Sequence, residues 1–126
     1  MKYKNFNKNP KHKAGDCVVR ALALAAGKTW SEVYDELCEL GREAYYMPSD
    51  KEVYESWLSK NGFIKHRQPR KADNRKYKVY ELVDELGIKD AVISLSGHMT
   101  AIEDGILYDT WDCSYLTVGN YWTKGK

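Results

Sequence analysis

The chain is poor in several features that mark whole classes of protein. It has only three cysteines, Cys17, Cys38 and Cys113, widely spaced and without a CxxC pair. Such a set excludes a disulfide framework and a thiolate zinc site, and it points to reduced thiols in a cytoplasm. The longest apolar run is Ala21 to Ala26, far short of the ~20 residues that cross a bilayer. The N-terminus, Met1-Lys2-Tyr3-Lys4-Asn5-Phe6, places no apolar stretch behind its charges and does not read as a secretory leader. There is no internal repeat, no low-complexity tract, no phosphate-cradling glycine loop and no recognised nucleic-acid motif.

What remains is ordinary globular material. The 126 residues, 43% hydrophobic and 30% charged, are enough for one domain with a real core. One domain over 1–126 is expected, with 1–14 as an irregular basic arm. Ten Tyr and four Trp are compatible with an aromatic-lined groove. The net charge is only +2, but it is unevenly spread. Residues 1–14 carry five lysines and no acid. Residues 65–78 carry Lys65, Arg67, Arg70, Lys71, Arg75, Lys76 and Lys78 against Asp73 alone. These stretches suit solvated loops, or a face for nucleic acid or an acidic partner.

Helical signals come first. Cys17-Val18-Val19-Arg20-Ala21-Leu22-Ala23-Leu24-Ala25-Ala26 lies between Asp16, a good N-cap, and Gly27, a good stop. It is apolar on nearly every face, which predicts a buried central helix. Capping boxes at Thr29 to Glu32 and Ser49 to Glu52 open two more helices. Val79, Leu82, Val83 and Leu86 predict a fourth. After Gly87 the period changes. Ala91 to Leu95 reads as a buried strand. Asp104-Gly105 between His98–Glu103 and Ile106–Trp111 reads as a type I′ hairpin. Leu116, Val118, Tyr121 and Trp122 add a last strand. The fold class is α+β: N-terminal helices, with the central helix packed on a C-terminal antiparallel sheet.

The chemistry-bearing residues fall at the joints of this layout. Cys17 is the first residue of the central helix, where free N–H groups and the helix dipole favour a thiolate. Cys38, between Glu36 and Glu39, reads as a buried small residue, and so does Cys113. His98 opens the first hairpin strand after Ser96-Gly97. His12 and His66 fall in basic loops and read as solvent-exposed. With a two-residue turn, Glu103 faces Ile106, and Asp109 becomes the diagonal neighbour of His98 on the same face. Asp109 is then the carboxylate that would orient the imidazole. With an odd loop the parity shifts and Asp112 takes its place.

Asp16-Cys17 opening an early helix, Gly97-His98 opening a late strand and Tyr108-Asp109 on the next strand resemble the papain-like cysteine peptidases. The pattern is most like their minimal members, the leader-processing domains of bacteriocin exporters. The same blocks resemble small uncharacterised phage proteins. The resemblance covers roughly a third of the chain, namely the Cys17 helix and the hairpin. It implies a thioester mechanism on a peptide or protein substrate, with no metal or cofactor, in a cytoplasm that is the host's if the chain is phage-encoded. The family usually donates into its oxyanion hole from a glutamine shortly before the nucleophile, where this chain has Lys11. Lys11 and Asn9, with Asn5 and Asn7 nearby, are the candidate donors, beside the Cys17 N–H. Three other readings stand: acyl transfer or amide hydrolysis by the same residues, a catalytically silent binder on the same scaffold, and nucleic-acid binding through the basic stretches.

Overall fold

A computed structural model describes residues 1–13 and 15–125. The elements run β1 (Lys2–Asn5), α1 (Cys17–Ala26), α2 (Trp30–Ala44), α3 (Lys51–Lys60), β2 (Phe63–His66), α4 (Val79–Asp84), β3 (Ala91–Leu95), β4 (His98–Glu103), β5 (Ile106–Asp109) and β6 (Tyr121–Lys124). They form an α+β fold around one six-stranded sheet, ordered β1-β5-β4-β3-β6-β2.

The three C-terminal strands follow from local chemistry. Ser96-Gly97 closes β3 onto β4, with Leu95 paired to His98 and Gly97 supplying the positive φ of 69°. Asp104 and Gly105, at φ 52° and 76°, close β4 onto β5. Glu103 then faces Ile106 and Ala101 faces Tyr108, the parity a two-residue turn requires.

Both faces of the sheet are covered, which is why β3 reads as a continuous apolar run. Val92, Met99, Ala101 and Trp122 join Val19, Leu22, Leu37 and Trp57 under α1, α2 and α3. Ala91, Ile93, Leu95, Ile102 and Leu107 join Val79, Leu82, Cys113 and Val118 on the opposite face. Helix α1 packs along β4, so its first residue reaches the strand end where His98 sits.

Four expectations need correction. Residues 1–14 are not wholly irregular: β1 pairs in parallel with β5, Lys2 against Ile106 through Asn5 against Asp109. Lys-Tyr-Lys-Asn has a single apolar residue, too little for an alternation signal. The sheet is therefore mixed rather than purely antiparallel and C-terminal, and β2 closes its other edge against β6. The Ser49–Glu52 capping box does not form. Asp50 stands at the cap position of α3, and its carboxylate accepts from Met47 N–H instead. Asp16 precedes α1 but makes no side-chain cap, for reasons that belong to the site. The Thr29–Glu32 box does form, in both directions.

Gly119 seats the loop before β6 against β3. Its N–H donates to Ser94 O at 2.8 Å, and a Cβ there would lie 2.9 Å from the same oxygen. Gly119→Ala is expected to cost about 1–3 kcal/mol by overpacking, read as a lower urea midpoint with an unchanged slope. An unchanged midpoint would show that the loop yields freely.

Candidate active site

Three side chains from three elements meet at the start of α1. His98 Nε2 lies 2.7 Å from Asp109 Oδ2. The Cys17 thiol lines one cleft with that imidazole and with Met99, close enough for both to act on its ionisation. Since Asp109 holds Nε2, Nδ1 is the ring nitrogen left for the sulfur. Trp111 leans on the ring, its centroid 5.3 Å from that of His98. Asp112 lies outside this group, where its carboxylate accepts from Ser114 N–H.

Asp109 is 3% exposed and its contacts are divided between its two oxygens. Oδ1 accepts from Thr110 N–H at 2.7 Å and from Arg20 Nη1 at 3.2 Å. Oδ2 faces His98 and also accepts the Cys113 thiol at 3.6 Å. The Thr100 hydroxyl lies in the same wall, a buried oxygen without a well-formed hydrogen bond. Burial pushes the Asp109 carboxyl up, but hydrogen bonding, chiefly from His98, wins and holds it at about 2. The ionised carboxylate then fixes the proton on Nε2.

The same partners set the other two groups. The Asp109 hydrogen bond, with Cys113 and Cys17 acting in the same direction, pushes His98 up to about 11. Burial pushes the Cys17 thiol up, yet His98, the Met99 N–H and the charge of Arg20 together bring it below the ordinary thiol value. Both shifts run in the direction of a thiolate beside an imidazolium.

Arg20 and Asp16 were not legible as part of this group. Arg20 is 8% exposed. Its Nε donates to Asp16 Oδ1 at 2.7 Å while its Nη1 reaches Asp109. Asp16 Oδ2 accepts from Trp30 Nε1 at 2.7 Å and from Asn9 Nδ2 at 2.9 Å. With Asp16 so engaged, the first backbone bond of α1 is Arg20 N–H to Asp16 O. Among the described residues the N–H groups of Cys17, Val18 and Val19 have no partner, as is usual for the first donors of a helix. An isolated arginine in an apolar helix was the only sequence signal for this network.

Cys17 and His98 line a cleft of about 380 Å³ with Gly15, Asp16, Val18, Tyr54, Ser94 and Met99 among its walls. The candidate donors Asn9 and Lys11 are not brought into its lining. Asn9 is buried, donating to Asp16 and accepting from Lys11 N–H, while Lys11 is exposed. The basic stretch 65–78 does not line it either. Lys65, Arg67, Gln68 and Arg70 edge a separate groove with Asn120, Lys71 is paired with Glu81, and Arg75 with Asp73. His66 is half-buried rather than exposed, stacked on Tyr121 and bonded to Thr123. Cys113, read as a structural residue, is fully buried but touches the site through Asp109.

His98, Asp109 and Cys113 bring ligand-type atoms within 4.8 Å of one another. Oδ2 faces both His98 and Cys113, and Arg20 lies beside the same carboxylate. Among the described residues no helix is long and apolar enough to cross a membrane. No protein-family model, curated protein or solved structure matches the chain.

The ion pairing makes stability depend on pH. His98 titrates near 6.5 when unfolded and near 11 when folded. Its contribution is complete below about 6.5 and is lost as pH rises towards 11. Asp109 moves from 3.8 to about 2, so its contribution is complete above about 4 and is lost as pH falls towards 2. Cys17, shifted down, acts in the opposite sense to His98 above neutrality and blunts that limb. The urea midpoint is therefore expected to plateau from about pH 4 to 6.5 and to decline on either side. His98→Ala removes both alkaline contributions and flattens that limb. The same alkaline slope in wild type and variant would contradict the assignment.

Proposed function

We propose that this protein is a cysteine hydrolase, in the first instance a peptidase, on a papain-like scaffold. The observation that carries the reading is the line Cys17–His98–Asp109. A thiol at a helix start meets an imidazole whose far nitrogen is held by a buried, ionised carboxylate. In the resting pair His98 already holds the Cys17 proton. The thiolate attacks a substrate carbonyl, and the oxyanion is received by N–H groups at the head of α1. The imidazolium protonates the leaving amine and the C–N bond breaks, leaving a thioester. His98, now neutral, takes a proton from water, whose oxygen attacks the thioester, and expulsion of the thiolate restores the ion pair. If an amine enters in place of water, the same chemistry transfers the acyl group.

Support comes from the order helix, then strand pair, with each residue at an element end, and from a cleft that reaches the sulfur. The experiment is an active-ester burst, which needs no specific substrate. With p-nitrophenyl acetate the expected result is one equivalent of nitrophenolate per chain, an acetyl group mapped to Cys17 by mass, then slow turnover. A burst without turnover would identify a silent or acyl-transferring site, and added amine separates those two. Acetylation spread over the three cysteines, or absent from Cys17, would end the proposal.

A further inference from the structure

We propose that Arg20 is a positioning residue of this site. By bridging Asp16 and Asp109 it aims the carboxylate behind His98 and keeps the head of α1 open to a developing anion. The inference rests on the hydrolase reading of Cys17, His98 and Asp109 and assigns that site a fourth required side chain.

The argument begins with an anomaly. Arg20 is the one charge in a helix otherwise built of Cys, Val, Ala and Leu, and it lies inside the protein. Burying a guanidinium costs several kcal/mol unless its donors are met, and here they are met by two carboxylates. Nε takes Asp16 Oδ1 at 2.7 Å, and Nη1 takes Asp109 Oδ1 at 3.2 Å, with Thr110 Oγ1 at 3.4 Å. Asp16 is the residue before the candidate nucleophile, and Asp109 is the residue behind the candidate base. One fork thus ties the two halves of the site, a turn of α1 and the end of β5, across 89 positions of sequence.

Each half depends on that fork. On the Asp109 side, Arg20 and Thr110 N–H both hold Oδ1, which presents Oδ2 alone to His98. On the Asp16 side, the ordinary task of an aspartate before a helix is to accept from the N–H groups of the first turn. Arg20, Trp30 and Asn9 hold it away from them. Without Arg20 the carboxylate would be free to cap α1, closing the open donors and placing a negative charge against the thiolate. Arg20 also offsets the two carboxylates. Asp16 and Asp109 carry two negative charges, and Arg20 with protonated His98 carries two positive ones. Ionising Cys17 then leaves one net negative charge rather than two.

The charged and titratable groups facing Cys17 are Asp16 just before α1, Arg20 on α1, His98 on β4 and Tyr54 on α3, with Lys8 and Tyr108 beside the space behind the thiol. Asp109 on β5 and Cys113 act through His98. Of these, Arg20 alone bridges both sides.

The test uses Arg20→Gln and Arg20→Lys in the full chain, with iodoacetamide labelling of Cys17 followed against pH and ester hydrolysis followed in parallel. Arg20→Gln is expected to raise the labelling midpoint by about one pH unit and to lower kcat about tenfold or more, with KM within about twofold. Arg20→Lys keeps the charge but cannot fork, so its midpoint stays near wild type while kcat still falls. A purely structural role would lower the melting temperature of both variants and leave Cys17's midpoint and kcat where they were, which would overturn the proposal. Failure of both variants to fold would also overturn it, by making Arg20 a scaffold residue. If wild-type Cys17 is not labelled ahead of Cys38, the hydrolase reading itself falls, a result distinct from either.

Discussion

Cys17→Ala is expected to abolish ester and peptide hydrolysis, and His98→Ala to lower kcat about 10³-fold or more, while both variants keep their fold. The magnitudes are those of losing a covalent nucleophile and its general base. The fold survives for different reasons in the two cases. Cys17 is half-buried at the cleft and carries little of the core, so truncation exposes few groups that lack partners. His98→Ala removes a hydrogen-bond donor from Asp109, but Arg20 and Thr110 N–H remain to hold the carboxylate. Circular dichroism and a melting curve beside the kinetics check both points. An active, folded Cys17→Ala protein would exclude covalent catalysis by this thiol.

Asp109→Asn is expected to be nearly as damaging to rate and far gentler to stability than Asp109→Ala. Oδ1 is surrounded by donors, Arg20 Nη1 and Thr110 N–H. An amide at 109 must therefore leave its oxygen there and turn its NH2 towards His98. Nε2 then has to accept, the imidazole proton moves to Nδ1, and no base faces Cys17. A wrong tautomer of this kind costs about 10⁴-fold in kcat. Asp109→Ala instead strands Arg20 against one carboxylate and is expected to cost about 3–5 kcal/mol. Comparing kcat and urea midpoint for the two variants separates orientation from charge pairing. A near-normal kcat in Asp109→Asn would remove Asp109 from the mechanism.

The parts of the site legible in the sequence were those fixed by local rules. Asp104-Gly105 is a two-residue turn, and that alone set the parity that chose Asp109 over Asp112. Gly27 marked the end of the Cys17 helix at the correct residue. Parts set by distant pairing were not legible. Nothing in Lys2–Asn5 says that it will lie parallel to β5, because its ladder bonds depend on a partner some hundred residues away. Nothing in Tyr121–Lys124 says that it will sit between β3 and β2. Asp16 looked like a helix cap because caps are local. Its real partners, Asn9, Arg20 and Trp30, come together only once α1, α2 and the N-terminal segment have packed. Cys113 resembled any small buried residue until the hairpin brought Asp109 against it.

The central claim is that His98 and its carboxylate make Cys17 a thiolate at neutral pH. The most direct measurement is the rate of iodoacetamide labelling at each cysteine, resolved by mass and followed from pH 4 to 10. The account predicts that Cys17 labels fastest, with a midpoint well below the ~8.5 of a free thiol, and that His98→Ala returns this midpoint to the ordinary range. A Cys17 midpoint at or above 8.5 in the wild type, unmoved by loss of His98, would contradict it.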